Sequence, residues 1–257
     1  MATVAAVHNQ APIVRTPQQV LDSLFGTVQP PKREPRARPS HKRVWASLTA
    51  DKDTFINDVN AEMQRRDAGR QHTRVIVTDG ERALQHRVVK TFNDVTLILD
   101  FLHALEKLWK SAHALYREGS PEAQAFVYER AKRILEGQVD QVVKSLSLIV
   151  TKRRLAGNNA KTLLDVAAYF KRNRERTRYD RYLANGRPIA SGSVEGACKN
   201  LIRDRFERSG MRWTLETAEA LLRLRAIHHS ARLTDYWDFH VTRDQQRLYP
   251  DWQVVLK

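Results

Sequence analysis

Two short apolar runs, Val75-Ile76-Val77-Thr78 and Val95-Thr96-Leu97-Ile98-Leu99, each close on an aspartate, Asp79 and Asp100, and a helical pattern over residues 81–91 separates them. No other feature of the chain restricts its fold as much. Short runs rich in Val and Ile without alternation suit strands covered on both faces. A helix between two such strands spans the sheet and returns the chain parallel, which a two-residue hairpin cannot do. Both carboxylates then emerge at the carboxyl ends of neighbouring strands, where parallel sheets open a crevice. The expected class is α+β leaning to α/β.

Around this unit the chain divides into segments of different character. Residues 1–27 form an N-terminal strand region, opening on the β-prone run at positions 1–8. Residues 28–41 form a solvated basic linker, because Pro30, Pro31, Pro35 and Pro39 preclude both helix interior and central strand. Residues 42–120 hold a strand at 42–49, a helix at 51–66 with Phe55, Ile56, Val59 and Met63 on one stripe, the parallel unit, and a helix at 101–118. Residues 121–185 show no strand pattern; helical periodicity over 123–137, 139–152 and 160–174 predicts an all-helical insertion. Residues 186–240 carry Glu195 in the first turn of a helix and a last amphipathic helix at 214–229, with Trp213 and Trp237 as bookends. Residues 241–257 read as a C-terminal tail.

With 44 Lys plus Arg against 29 Asp plus Glu, the net charge of +15 points to a polyanionic partner, double-stranded DNA above all. Apolar runs such as 95–102 and 146–150 are far shorter than the roughly 20 residues that span a bilayer, so no membrane role is expected. Neither a small-molecule substrate nor a secretory leader is indicated, and a cytoplasmic, nucleoid-associated chain is expected. Cys198 stands alone in the sequence, which rules out an internal disulfide and a cysteine-cluster zinc site; it reads as a small buried apolar residue. The expected DNA contacts are Lys152, Arg153, Arg154, Lys171, Arg172, Arg174, Arg176 and Arg178 in the insertion, and Lys199, Arg203, Arg205, Arg208 and Arg212 after Glu195. The insertion cations alternate with Tyr169, Phe170, Tyr179 and Tyr182, which suits a backbone groove with stacking surfaces or, equally, a solvated face over a core.

Phosphodiester cleavage adds negative charge to an anionic phosphate, so carboxylates serve it by holding divalent ions about 3.5–4 Å apart. Magnesium takes oxygen ligands and needs only a few carboxylates. Asp79, Asp100 and Glu195 are the candidate ligands, for Mg2+ or Mn2+. Each also has a plainer role: Asp79-Gly80 as a turn, Asp100 as a helix cap, Glu195 as part of a capped first turn. Asp100, His103 and Glu106 recur at three-residue spacing on one helix, so His103 either joins a metal site or steadies an acid.

The Asp79-Gly80 step, Leu99-Asp100-Phe101-Leu102-His103-Ala104-Leu105-Glu106-Lys107-Leu108-Trp109, Ile189-Ala-Ser-Gly-Ser-Val-Glu195-Gly-Ala-Cys-Lys-Asn-Leu and Ser209-Gly-Met-Arg-Trp213 occur in an order that resembles insertion-sequence transposases of the Kra group. The opening residues 1–8, Leu222-Arg-Leu-Arg-Ala226 and Asp235-Tyr-Trp237-Asp-Phe-His240 extend the likeness over nearly the whole chain. The resemblance implies an RNase H-like mixed sheet with a helical insertion and a helical C-terminus. It also implies a magnesium-binding Asp-Asp-Glu triad, DNA cleavage and strand transfer at terminal inverted repeats and target, and a homo-oligomer in a synaptic complex. Glu195 corresponds to the final acid and Asp79 to the second; Asp100 with His103 is an accessory pair or, under another alignment, supplies a triad member. Family members carry an earlier strand ending in Asp-Gly that supplies the first acid, so the resemblance implies a truncated chain with an incomplete sheet and impaired catalysis. Its alternative roles are a non-catalytic DNA-binding remnant and an interaction partner of intact transposase.

Overall fold

A computed structural model describes residues 2–26, 39–207 and 210–250. The chain is a mixed α and β protein, dominated by helix, with small sheets. Its residues divide into two compact units, one comprising 1–9, 39–66 and 192–257, the other 10–38 and 67–191. The basic linker over residues 28–38, Arg208 and the tail over 251–257 lie outside the described residues.

In the first unit, β1 (Thr3–Asn9) pairs antiparallel with β2 (Ser40–Ser47), with Ala5 opposite Trp45 and Thr3 opposite Ser47. Val44 and Ala46 of β2 are buried against Ala197, Leu201, Leu222 and Ala226 from the far end of the chain. The outer edge of β2 does not stay bare. Val44 N–H donates to the Ser230 hydroxyl, which donates back to the Val44 carbonyl, and Glu219 accepts from Leu48 N–H and the Ser47 hydroxyl. Backbone groups on a sheet edge need such partners when water is kept away. Helix α2 (Lys52–Arg66) follows β2 and buries Phe55 and Ile56, but Val59 and Met63 are only partly covered and the third buried position is Glu62.

The second unit opens with a helix where the sequence suggested only a strand region. In α1 (Pro17–Phe25), Thr16 and Gln19 form a reciprocal capping box and Pro17 occupies the first turn. These are strong start signals for so short an element. The parallel unit forms as expected: β3 (Arg74–Thr78), α3 (Arg82–Thr91) and β4 (Val95–Leu99), with Ile76 opposite Leu97 and Thr78 opposite Leu99. Helix α4 (Phe101–His113) stops five residues short of the expected 118, where the chain turns toward Gly119 at φ +77°.

The helical segment then gives α5 (Pro121–Leu135), capped by Ser120, α6 (Val139–Lys152), α7 (Gly157–Arg172) and α8 (Tyr179–Ala184). Their apolar stripes close one core with the strands, built on Ile98, Leu99, Phe101, Leu108, Ile134 and Phe170. Val20 and Leu21 of α1 are buried in that same core. Among the described residues the strands make two separate two-stranded sheets rather than one mixed sheet.

Back in the first unit, α9 (Gly192–Ala197) runs into a π-helix over Cys198–Glu207, and α10 (Leu215–His229) starts at Thr214, whose hydroxyl accepts from Thr217 N–H. The segment expected as a tail from 241 is instead the second half of α11 (Leu233–Leu248), a helix that buries none of its residues. Trp213 packs edge-on against Phe206 at 5.8 Å, whereas Trp237 is 58% exposed and is no bookend. Cys198 is half-buried, not buried; burial first, then Glu195, raise its thiol pKa against the opposing charge of Arg203, which disfavours the thiolate.

Candidate functional site

Asp79 and Asp100 follow directly on β3 and β4, whose register is parallel, so both acids leave the same end of the pair. The ladder continues one step further through Asp100 N–H donating to the Thr78 carbonyl at 2.7 Å. Beyond that step the two carboxylates have different surroundings.

Asp79 is exposed, and its Oδ1 accepts from Glu81 N–H at 2.9 Å, the short side-chain turn that Asp favours after a strand. Gly80 takes φ +88°; a Cβ there would stand 2.6 Å from the Tyr169 hydroxyl and 2.8 Å from Leu99 Cδ1, so only glycine fits.

Asp100 is wholly buried and caps α4: its Oδ1 accepts from Leu102 N–H at 2.8 Å, while Oδ2 accepts from Ser191 N–H at 3.0 Å and from the Ser191 hydroxyl. Burial works to raise the Asp100 carboxyl, but the contact with His103 and these donors together hold it below its ordinary value. His103 Nδ1 lies 3.5 Å from Asp100 Oδ2, at ion-pair distance but without hydrogen-bond geometry. That neighbour raises the imidazole pKa against desolvation, and the charges of Glu106 and Asp79 add to the effect. One histidine thus senses both strand-end aspartates.

The residues that fix these strand ends come from the helical segment, where the sequence left a stacking role and a core role equally open. Tyr169 of α7 donates its hydroxyl to the Asp79 carbonyl at 2.9 Å, and Tyr179 of α8 donates to the Leu99 carbonyl at 2.8 Å. Burial, then the nearby Asp79, push the Tyr169 hydroxyl well above its usual pKa, so it remains a donor. Lys107 Nζ and the Arg172 guanidinium stand 5.5 and 5.7 Å from its ring. Tyr169, Phe170, Tyr179 and Tyr182 all belong to the core, which decides between the two readings the sequence left open in favour of a face over a core. The available signal was chemical: a buried tyrosine hydroxyl must find an acceptor.

Glu195 belongs to the first unit, on α9, which packs against β1. It is exposed and lines a shallow groove with Gly192, Gly196, Lys199, Arg203 and Glu207; Arg203 Nε is 3.9 Å from Glu207 Oε2. Of the expected DNA contacts, Lys152, Arg153, Arg154, Lys171, Arg172, Arg174, Lys199, Arg203, Arg205 and Arg212 are exposed, and Arg176 and Arg178 are half-buried. Arg174 and Arg178 share Glu175, which reduces what they offer a phosphate. Comparisons with protein-family models, with curated proteins and with solved structures find no match to this chain. No helix of the described residues is long and apolar enough to cross a membrane.

Proposed function

We propose that this chain handles double-stranded DNA as a transposase of the Kra group, with an RNase H-like ancestry for its strands. The observation that carries the reading is the pair Asp79 and Asp100 at the carboxyl ends of adjacent parallel strands, with His103 beside Asp100 and influenced by the charges of both. Among the described residues the antiparallel and parallel strand pairs form separate sheets, so the mixed-sheet part of the reading rests on the sequence resemblance. The net charge of +15 and the exposed cations supply the electrostatic attraction that DNA binding requires. Glu195 enters as the third acid on its sequence motif alone. Assembly as a homo-oligomer on terminal inverted repeats follows from the same resemblance.

The donor set suits Mg2+ or Mn2+, which take carboxylate oxygens. Asp79, exposed and engaged by one N–H, has an oxygen to give; Asp100 would exchange a Ser191 donor for an ion. Such ions stabilise the charge that builds on phosphate during cleavage. The chain's own part is to hold the acids: Tyr169 fixes the Asp79 turn, and Ser191 and the α4 terminus fix Asp100.

Saturation of both Asp100 oxygens favours a second reading, a DNA-binding protein without turnover or a partner of an active transposase. Magnesium- or manganese-dependent nicking of a duplex carrying the inverted repeats that flank the coding sequence, abolished in Asp79→Asn and in Glu195→Gln, distinguishes the two. Salt-dependent binding with no nicking in any variant leaves the second reading standing. Duplex affinity indifferent to salt between 50 and 200 mM would sink the enzyme and the DNA-binding protein, because several phosphate contacts should cost orders of magnitude over that range, whereas co-purification with intact transposase without independent DNA affinity marks the partner.

A further inference from the structure

Arg130 of α5 is a cation in the wrong place for an ordinary surface arginine. Its side chain is 10% exposed, and its guanidinium lies over the Phe126 ring at 3.5 Å. One N–H donates to the Phe126 carbonyl at 3.1 Å, but Nε is buried with no acceptor. The nearest carboxylate, Glu129, stands 3.8 Å away and gives its other oxygen to Arg133 at 2.5 Å. A buried guanidinium normally has an anion matched to its fork, since leaving a charge or an N–H unpaired in the interior is costly.

The surroundings add cations rather than anions. Phe126 packs on Tyr116 at 5.8 Å, Arg153 stands 5.4 Å from the Tyr116 ring, and Arg153 donates to the Tyr116 hydroxyl at 2.9 Å. Arg153, Tyr116, Phe126 and Arg130 therefore form a ladder in which cations flank two aromatic rings. Burial lowers the pKa of Arg130, and the charges of Arg133 and Arg153 act in the same direction against Glu129. Arg130 and Arg133 share the Glu129 carboxylate, and the third guanidinium, Arg153, is held by the Tyr116 hydroxyl. The Tyr116 hydroxyl, accepting from Arg153, keeps its own proton to donate.

We propose that Arg130, Arg133, Arg153 and Tyr116 form a binding site for a tetrahedral phosphate, taken either as the free ion or as a phosphodiester of a nucleic-acid backbone. The ladder supplies planar guanidinium forks, which match phosphate oxygens, and the Tyr116 hydroxyl adds a donor. This site lies on α5 and on the segments following α4 and α6, and it stands whether or not the strand-end acids bind metal.

Isothermal titration of the full chain with sodium phosphate, against sodium chloride at matched ionic strength, tests the proposal. Phosphate binds at one site; Arg153→Gln and Arg133→Gln each weaken it about tenfold, the loss of one charge-assisted hydrogen bond. Arg130→Lys, confirmed as folded by circular dichroism, keeps the charge but loses the fork and also weakens it. Arg247→Gln, on exposed α11, leaves it unchanged. A duplex that displaces phosphate, and does so less well with methylphosphonate linkages, identifies the backbone as the source; phosphate binding that the duplex leaves intact identifies the free ion. No phosphate binding beyond the chloride control, or an equal loss in Arg247→Gln, overturns the proposal.

Discussion

Glu62 has a side chain only 1% exposed and lies against three arginines: Arg43 at 2.6 Å, Arg65 at 2.8 Å and Arg66 at 2.6 Å. Burial alone would raise its carboxyl, but the hydrogen bonds from these arginines outweigh it and bring the pKa down to about 2. A depressed carboxylate stabilises the fold fully above its unfolded value near 4.5, and that contribution is lost as the pH falls from there toward 2. With two of the arginines largely in solvent, the contribution is about 2 kcal/mol. The stability difference between wild type and Glu62→Gln, read from urea midpoints, should therefore shrink by that amount on acidification; a constant difference would refute the assignment. Gly80 offers a second test. Gly80→Ala should cost about 2–3 kcal/mol from positive φ and steric conflict. Tyr169→Phe should cost about 1 kcal/mol for its hydrogen bond. The double variant should be less destabilised than their sum, because the hydroxyl that a Cβ would meet is gone.

Among the elements, α4 shows how a strand-end acid can serve structure first. Replacing Asp100 by Ala removes the α4 cap and leaves the Ser191 donors without an acceptor, which should cost about 2–4 kcal/mol in chemical denaturation. Asp79→Asn, at an exposed turn, should stay within about 0.5 kcal/mol of wild type. Equal costs for the two would mean that the surroundings described for these acids do not govern their energetics. The β3-α3-β4 unit was legible from sequence because its β-branched runs and Asp-Gly stop are local signals. So were most of the long helices, whose apolar stripes repeat over many residues. Helix α1 was missed because its capping box, Thr16 with Gln19, lies within residues 1–27, which the β-prone run at their start led to be read as a strand region. Helix α11 was missed because its exposed Trp237, Phe239 and Val241 give no buried stripe to find. The tyrosine clamps stayed undecided because a tyrosine among arginines looks the same in sequence whether its ring faces solvent or core.

At the level of the whole molecule, the chain passes between its two units at residues 9–10, 38–39, 66–67 and 191–192, so neither unit is one continuous stretch. Composition does not change at those points, and long-range grouping of this kind leaves no local mark. A polypeptide of residues 67–191 lacks Val20 and Leu21, and also the backbone bonds from Ile13 to Gly186 and from Arg15 to Leu183. Burial of those two side chains stabilises by about 1.5–3 kcal/mol each. Residues 67–191 should therefore unfold at markedly lower urea concentration than residues 10–191, and matching midpoints would show that α1 contributes nothing to that core.

The same interleaving sets an order of events during synthesis. Strand β2 leaves the ribosome early, yet the apolar face carrying Val44 and Ala46 must wait for Ala197, Leu201, Leu222 and Ala226 before it is covered. The unit ending at Ser191 has all its parts by then. The helical half can therefore close before the apolar face of the β1–β2 pair is covered, which needs residues as late as Ala226.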